Sequence, residues 1–117
     1  MKPAFLEHVL NVLKIHSQKS MCLHKHAAAL VDKNTIVAIG RNDWGNRDAT
    51  IHAEVACLNT YIHRQKRIGK DMNLNRLTMV VIRYNENLDE IQNSKPCEAC
   101  AVFIRRMGLK RVIYSTN

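Results

Sequence analysis

A chain of 117 residues with 46% hydrophobic content is long enough for one domain with one buried core, and too short for several. Its 18 Lys and Arg against 10 Asp and Glu leave a formal charge of +8, which favours anionic partners such as phosphate-bearing small molecules or nucleic acid. A solvated basic surface explains the same charge equally well, and no apolar run reaches the length of a membrane span.

The first residues, Met1-Lys2-Pro3 and a short apolar run broken by Glu7 and His8, do not form a signal peptide. Four cysteines in a chain without one are expected as thiols, suited to metal binding, and the expected location is cytoplasmic.

From Ala4 to about Lys19, Phe5, Val9, Val12, Leu13 and Ile15 or His16 recur with helical spacing, after Pro3 at the first helical position. The apolar runs His26–Val31 and Thr35–Gly40 flank the polar Asp32-Lys33-Asn34 and read as a β-hairpin. They are nearly continuous rather than alternating, as in a sheet covered on both faces. Ala27, Ala28 and Ala29 are poor strand formers. Either a ligand approaches the backbone there, or helices pack close.

A polar loop, Asn42 to Thr50, carries Trp44. A helix is expected from about Ile51 to Gln65 with Val55, Leu58 and Ile62 on its buried face, and Gly69 can end it. Leu77 to Tyr84 is a strand, Asn85 to Ser94 a polar connection, and Pro96 to Met107 a helix closed by Gly108. Arg111 to Tyr114 is a last strand. The latter half is a βαβ unit with parallel strands, so the expected architecture is α/β, a mixed sheet in a three-layer α/β/α sandwich, forming a single domain over 1–117.

Chemistry concentrates in His52-Ala53-Glu54 and in Pro96-Cys97-Glu98-Ala99-Cys100. His52, Cys97 and Cys100 are ligand types that tetrahedral zinc prefers, and three of them leave a fourth position for water. Cys97 and Cys100, three apart at a helix start, project from one face near the positive end of the helix, which favours thiolate. Glu54 stands beside the histidine where a proton carrier belongs. A histidine and glutamate so spaced, followed by Pro-Cys-x-x-Cys, form the signature of zinc nucleobase deaminases.

At these residues the chain resembles the cytidine/deoxycytidylate deaminase superfamily, and the resemblance covers nearly the whole sequence, including the order of its elements. It implies a cytidine deaminase-like fold with Zn2+ held by His52, Cys97 and Cys100. It also implies hydrolytic conversion of cytosine to uracil with loss of ammonia, Glu54 moving the protons. The expected substrate is a (deoxy)cytidine nucleoside or nucleotide, and the expected assembly a homo-oligomer.

Gly40-Arg41-Asn42 resembles the superfamily's G-x-N, which gives Asn42 a contact to sugar or base. Asp48-Ala49-Thr50 is similar to the Asp-Pro-Thr of tRNA adenosine and guanine deaminases, with Ala49 in place of proline. His26 falls in the segment that lines the base in relatives, as a substrate contact or as a buried, hydrogen-bonded histidine. Ala53, Pro96 (or Lys95, through a carbonyl) and Trp44, by stacking, complete the expected substrate contacts, although a loop tryptophan that covers the core explains Trp44 equally well. Compared with relatives, the chain ends soon after its last strand and carries extra residues around Lys66–Asn75 and Asn85–Asn93. An open pocket, or one completed by another subunit, is therefore expected.

Two other readings compete. In a polynucleotide deaminase acting on cytosine or adenine, Arg64, Lys66, Arg67, Lys70 and Lys110-Arg111 would form a phosphate track. In a nucleic-acid-binding module the zinc would be structural and need a fourth protein ligand from Cys22, His24, His26 or Cys57, although Cys57 also reads as a packed core thiol.

Overall fold

The computed structural model describes residues 1–22, 24–44 and 50–116, and the side chains of Trp44, Thr50 and Ile51 are not among the described atoms. The chain runs α1 (Pro3–Ser17), β1 (Lys25–Asp32), β2 (Thr35–Arg41), β3 (Asp43–Trp44), β4 (Thr50–Ile51) and α2 (Ala53–Arg67). After a turn of 3-10 helix at Leu74–Arg76 come β5 (Thr78–Asn85), β6 (Glu90–Gln92), α3 (Glu98–Met107) and β7 (Arg111–Tyr114).

The main sheet is mixed. β1 lies between β2 and β5, antiparallel to both, while β7 runs parallel to the first half of β5, from Thr78↔Arg111 to Val81↔Tyr114. β6 pairs antiparallel with the second half of the same edge, Arg83↔Gln92 to Asn85↔Glu90. This short strand lies within the polar connection expected over Asn85–Ser94. β5 extends past the end of β7, and the chain turns back along the freed edge. The Asn85 side chain accepts from Leu88 N–H at 3.1 Å, and Asp89 takes a left-handed backbone at φ 50°.

The central strands β1 and β5 are buried on both sides, as expected for the first of the two continuous apolar runs, whereas the second became the edge strand β2, where burial is mixed. Ala28 and Leu30 of β1 and Met79 and Val81 of β5 face α2 and α3. Ala27, Ala29, Val31, Val80 and Ile82 face α1. The three alanines therefore serve packing, their small side chains letting helices approach from both faces. None of them reaches a ligand cavity. This is the three-layer α/β/α arrangement expected from the sequence.

Two helical faces differ from expectation. On α1, Val9, Leu13 and Ser17 are buried, while Ile15 is largely exposed. On α2 the buried line is Ala53, Glu54, Cys57, Leu58 and Tyr61, and Val55 and Ile62 sit at its margins. Hydrophobicity ranked Val55 and Ile62 above Glu54, but the backbone of α2 turns its Glu54–Cys57 side onto the sheet. The cause lies at Gly40 of β2. A Cβ there would stand 2.4 Å from Cys57 N, 2.8 Å from Cys57 Cα and 2.9 Å from Ala56 C, all main-chain atoms of α2.

Gly40→Ala is therefore expected to push α2 off the sheet and to lower stability by about 3 kcal/mol, the upper range for overpacking a core. The urea midpoint of the zinc-loaded protein measures it. An unchanged midpoint would mean that α2 does not seat against β2 in this way.

Candidate active site

The two helices that carry the motif residues begin at one place. His52 is the N-cap of α2, with extended backbone at φ −73° and ψ 149°. Cys97 is the N-cap of α3, at φ −63° and ψ 163°. The expectation that Pro96 and Cys97 lie within the first turn, and that α2 begins at Ile51, is thereby corrected. Both ligands stand at N-cap positions just outside their helices, and the His52 side chain makes no capping hydrogen bond. A cap side chain folds back over the exposed N–H groups of the first turn, and Cys97 Sγ accepts from Cys100 N–H at 3.5 Å. The positive ends of two helix dipoles thus meet at the thiols.

His52 Nδ1 lies 3.1 Å from Cys100 Sγ and 3.5 Å from Cys97 Sγ, and the three donor atoms all fall within 4.8 Å of one another. Zn–S bonds of about 2.3 Å and Zn–N bonds of about 2.0 Å place tetrahedral N and S donors about 3.5 Å apart, so the triad has the size of a zinc site. Neither cysteine is in a disulfide. Burial first, then the neighbouring Glu54 carboxylate, pushes the Cys100 thiol up to about 12, so a cation among these groups is what would release its proton.

Among the described residues, no fourth His, Cys, Asp or Glu joins this group. Cys57 is fully buried in the α2 core, its thiol directed at Ala38 O at 3.6 Å, and burial pushes it up to about 12. Cys22, His24 and His26 stand on the wall of the adjoining cavity, outside the triad. Among the described residues, none closes the site as a fourth protein ligand.

His52 and Cys97 open onto a cavity of about 380 Å³, a volume within the range of small-molecule pockets. Glu54 lines it while only 5% exposed. Burial raises the Glu54 carboxyl above the usual carboxylate range, against the opposing pull of its own backbone N–H, His52 and Cys100. Ala53, fully buried, forms the floor between ligand and acid.

Asn42 reaches this cavity as an anchored group. Its Oδ1 accepts from His26 N–H at 2.9 Å and from the Ser20 hydroxyl at 2.9 Å, and its Nδ2 donates to His24 O at 2.5 Å. The backbone donor at His26 decides which end of the amide is oxygen. One Nδ2 hydrogen is left for the cavity. His26 lines the wall half-buried, and burial, aided by Arg83, His24 and His52, lowers its ring to about 4, so it is neutral near pH 7.

Pro96 is placed elsewhere. It lines an outer groove with Ile104, Leu109 and Val112, while Ser94, Lys95 and Cys97 form the cavity wall. The expected Trp44 side chain and the Asp48-Ala49 pair lie outside the described residues.

Sequence reasoning missed Ser20 and Ser94. Ser20, 2% exposed, bonds both Asn42 O and Asn42 Oδ1. Ser94, also 2% exposed, donates to Val81 O at 2.8 Å and accepts from Ser115 N–H at 2.8 Å, tying the segment ahead of Cys97 to the sheet. Serines in polar stretches carry no pattern that separates these anchors from ordinary loop residues.

The family model described as "Cytidine and deoxycytidylate deaminase zinc-binding region" matches residues 3–116. Among solved structures, the chain is similar to dCMP deaminase from the cyanophage S-TIM5 in apo form, with a TM-score of 0.71 and 23% identity over 99% of this chain and 86% of that one. The same phage enzyme in complex with dCMP and dUMP gives 0.66 at 21% identity, over 97% of this chain and 82% of that one. Cytidine deaminase from Burkholderia pseudomallei gives 0.67 at 18% identity, over 92% and 78%. At these identities the likeness is one of fold. No curated protein sequence matches the chain. A family match across nearly its whole length, meeting a His52, Cys97 and Cys100 triad of the right size, shows that the chain belongs to the cytidine and deoxycytidylate deaminase zinc-binding family, with zinc as its cofactor.

Proposed function

We propose that this single domain is a hydrolytic deaminase that converts cytosine to uracil in a (deoxy)cytidine nucleoside or nucleotide, consuming water and releasing ammonia. The observation that carries the reading is the buried Glu54 on the wall of the cavity onto which His52 and Cys97 open. Zinc, when bound by His52, Cys97 and Cys100, supplies activation of water for attack at the amine-bearing ring carbon. Glu54 takes the proton given up by water, delivers it to the adjacent ring nitrogen, and passes a proton to the departing amine.

Asn42 presents its remaining amide hydrogen to a sugar hydroxyl or base oxygen. Its other bonds hold that donor in one direction, so orienting the substrate costs little freedom. Ala53 leaves room for the flat base, and neutral His26 offers a hydrogen bond rather than a charge. The phage relative solved with dCMP and dUMP supports a pyrimidine nucleotide as the substrate class.

The basic run Arg64, Lys66 and Arg67 lies in the last turns of α2, at the end away from His52. At 1.5 Å per residue, that is roughly 18 to 22 Å along the helix. A polynucleotide following this helical part of the track would not by that route reach the cavity, which favours the small-molecule reading, although Arg111 of the same track shares an outer groove with the cavity residue Lys95. A homo-oligomer in the cytoplasm belongs to the same proposal, and the oligomer is supported by the partly apolar groove between α3 and β7, where Leu109, Val112 and Tyr114 lie over the buried Ile104.

Mass-spectrometric screening of the zinc-loaded protein against cytosine, cytidine, deoxycytidine, their monophosphates and short oligonucleotides tests the substrate class. A gain of one mass unit in a nucleoside or monophosphate is expected, and turnover of oligonucleotides alone would overturn the reading. Glu54→Gln with zinc retained should lower kcat by about 10²- to 10⁴-fold, the range for losing a general acid–base. Cys97→Ala should lose stoichiometric zinc in metal analysis, and full retention would remove Cys97 from the metal centre.

A further inference from the structure

Beside the cavity lies a second one, of about 470 Å³, that shares Cys22 and His24 as walls. Its far side is built by the turn between β5 and β6, with Asn85, Asn87 and Gln92. A molecule seated against Glu54 and extending past His24 would enter this annex, which lies on the other side of the wall that His24 and Cys22 form.

The annex is organised around Arg83. In the β1–β5 register, Arg83 stands opposite His26, which lines the first cavity, so one strand spacing of about 4.8 Å separates their backbones. Arg83 Nη2 donates to His24 Nδ1 at 2.7 Å, which directs the guanidinium along the shared wall. No carboxylate among the described residues forms an ion pair with it. A guanidinium carries five donors, so most of its fork is open. Lys25, whose ammonium donates to Ser20 O, adds a second positive charge to the lining. Glu86 is the one acidic residue that lines the annex among those described. Arg83 also lowers the His26 ring, after the larger effect of burial, as expected if its charge is felt at the first cavity.

We propose that the annex is a phosphate subsite in which Arg83 is the specificity-determining residue and Lys25 its supporting charge, so that the chain takes a nucleoside monophosphate in preference to the free nucleoside. A planar guanidinium matches two phosphate oxygens at once, which an ammonium cannot do. The amide groups of Asn85, Asn87 and Gln92 give the rim polar partners that would admit the solvated phosphate. This inference rests on the deaminase reading for the identity of the base and adds the group that the annex selects.

The test is the ratio of kcat/KM for deoxycytidine monophosphate to that for deoxycytidine, in zinc-loaded wild-type protein and in Arg83→Gln. The wild type should favour the monophosphate at least tenfold. Arg83→Gln should lower that ratio ten- to a hundredfold, chiefly through KM for the monophosphate, as expected for losing a charge-assisted contact. Arg83→Lys should recover part of it. Equal use of both substrates by the wild type, or an unchanged ratio in Arg83→Gln, overturns the subsite. If Arg83→Gln does not fold, Lys25→Gln carries the same measurement, with a smaller expected drop and the same overturning result. If nothing is turned over, the deaminase reading fails separately. Calorimetric affinities for the same pair then decide the subsite, where loss of monophosphate preference in Arg83→Gln supports it and equal affinities overturn it.

Discussion

The contact on which the site depends is the seating of α2 directly on the backbone of β2 at Gly40. Any side chain at that position would collide with main-chain atoms of Ala56 and Cys57. The contact sets the height of α2 above the sheet, and thereby the position of its first turn. His52 and Glu54 ride on that turn, so the distance from histidine to the two cysteines is decided by a residue that touches no ligand. Cys57 belongs to the same contact: its thiol is spent on Ala38 O and the core, which keeps it out of the metal chemistry.

The second ligand pair is placed by the other half of the fold. α3 leaves the sheet after Ser94, whose hydroxyl is held between Val81 O and Ser115 N–H. This fastens the segment ahead of α3 to the middle of β5 and the end of β7. The thiols reach His52 because two helices, each set by a different strand, begin beside one another. Helix N-termini favour negative charge, so the position suits thiolates and, by the same field, an anionic transition state.

The polar side of the cavity is rigid for a different reason. Asn42 satisfies His26 N–H, His24 O and the Ser20 hydroxyl within a space that excludes most solvent. Losing any of these partners would leave a buried polar group unpaired, which costs more than the bond itself gains. The network therefore holds the loop after α1 and the start of β1 together at the mouth of the site, and carries His24 to the wall between the two cavities.

Much of this was legible in residue order. Continuous apolar runs at β1 and β2 meant a sheet covered on both sides, which holds at β1, while β2 is an edge strand of mixed burial. The spacing of His52, Cys97 and Cys100 named a metal, because ligand chemistry depends on residue type and local spacing. What the sequence could not rank was position in space. Val55 and Ile62 were more apolar than Glu54 and Cys57, yet the close contact at Gly40 turned the latter pair inward. Pro96 was separated from the cavity, the three alanines were given to helix packing, and Arg83 and His24, 59 residues apart, were joined only when β5 paired with β1. Local pattern determines which element forms and which atom types it offers. Long-range pairing decides which of those atoms share one cavity, because that depends on register and close approach, which no single stretch of chain encodes.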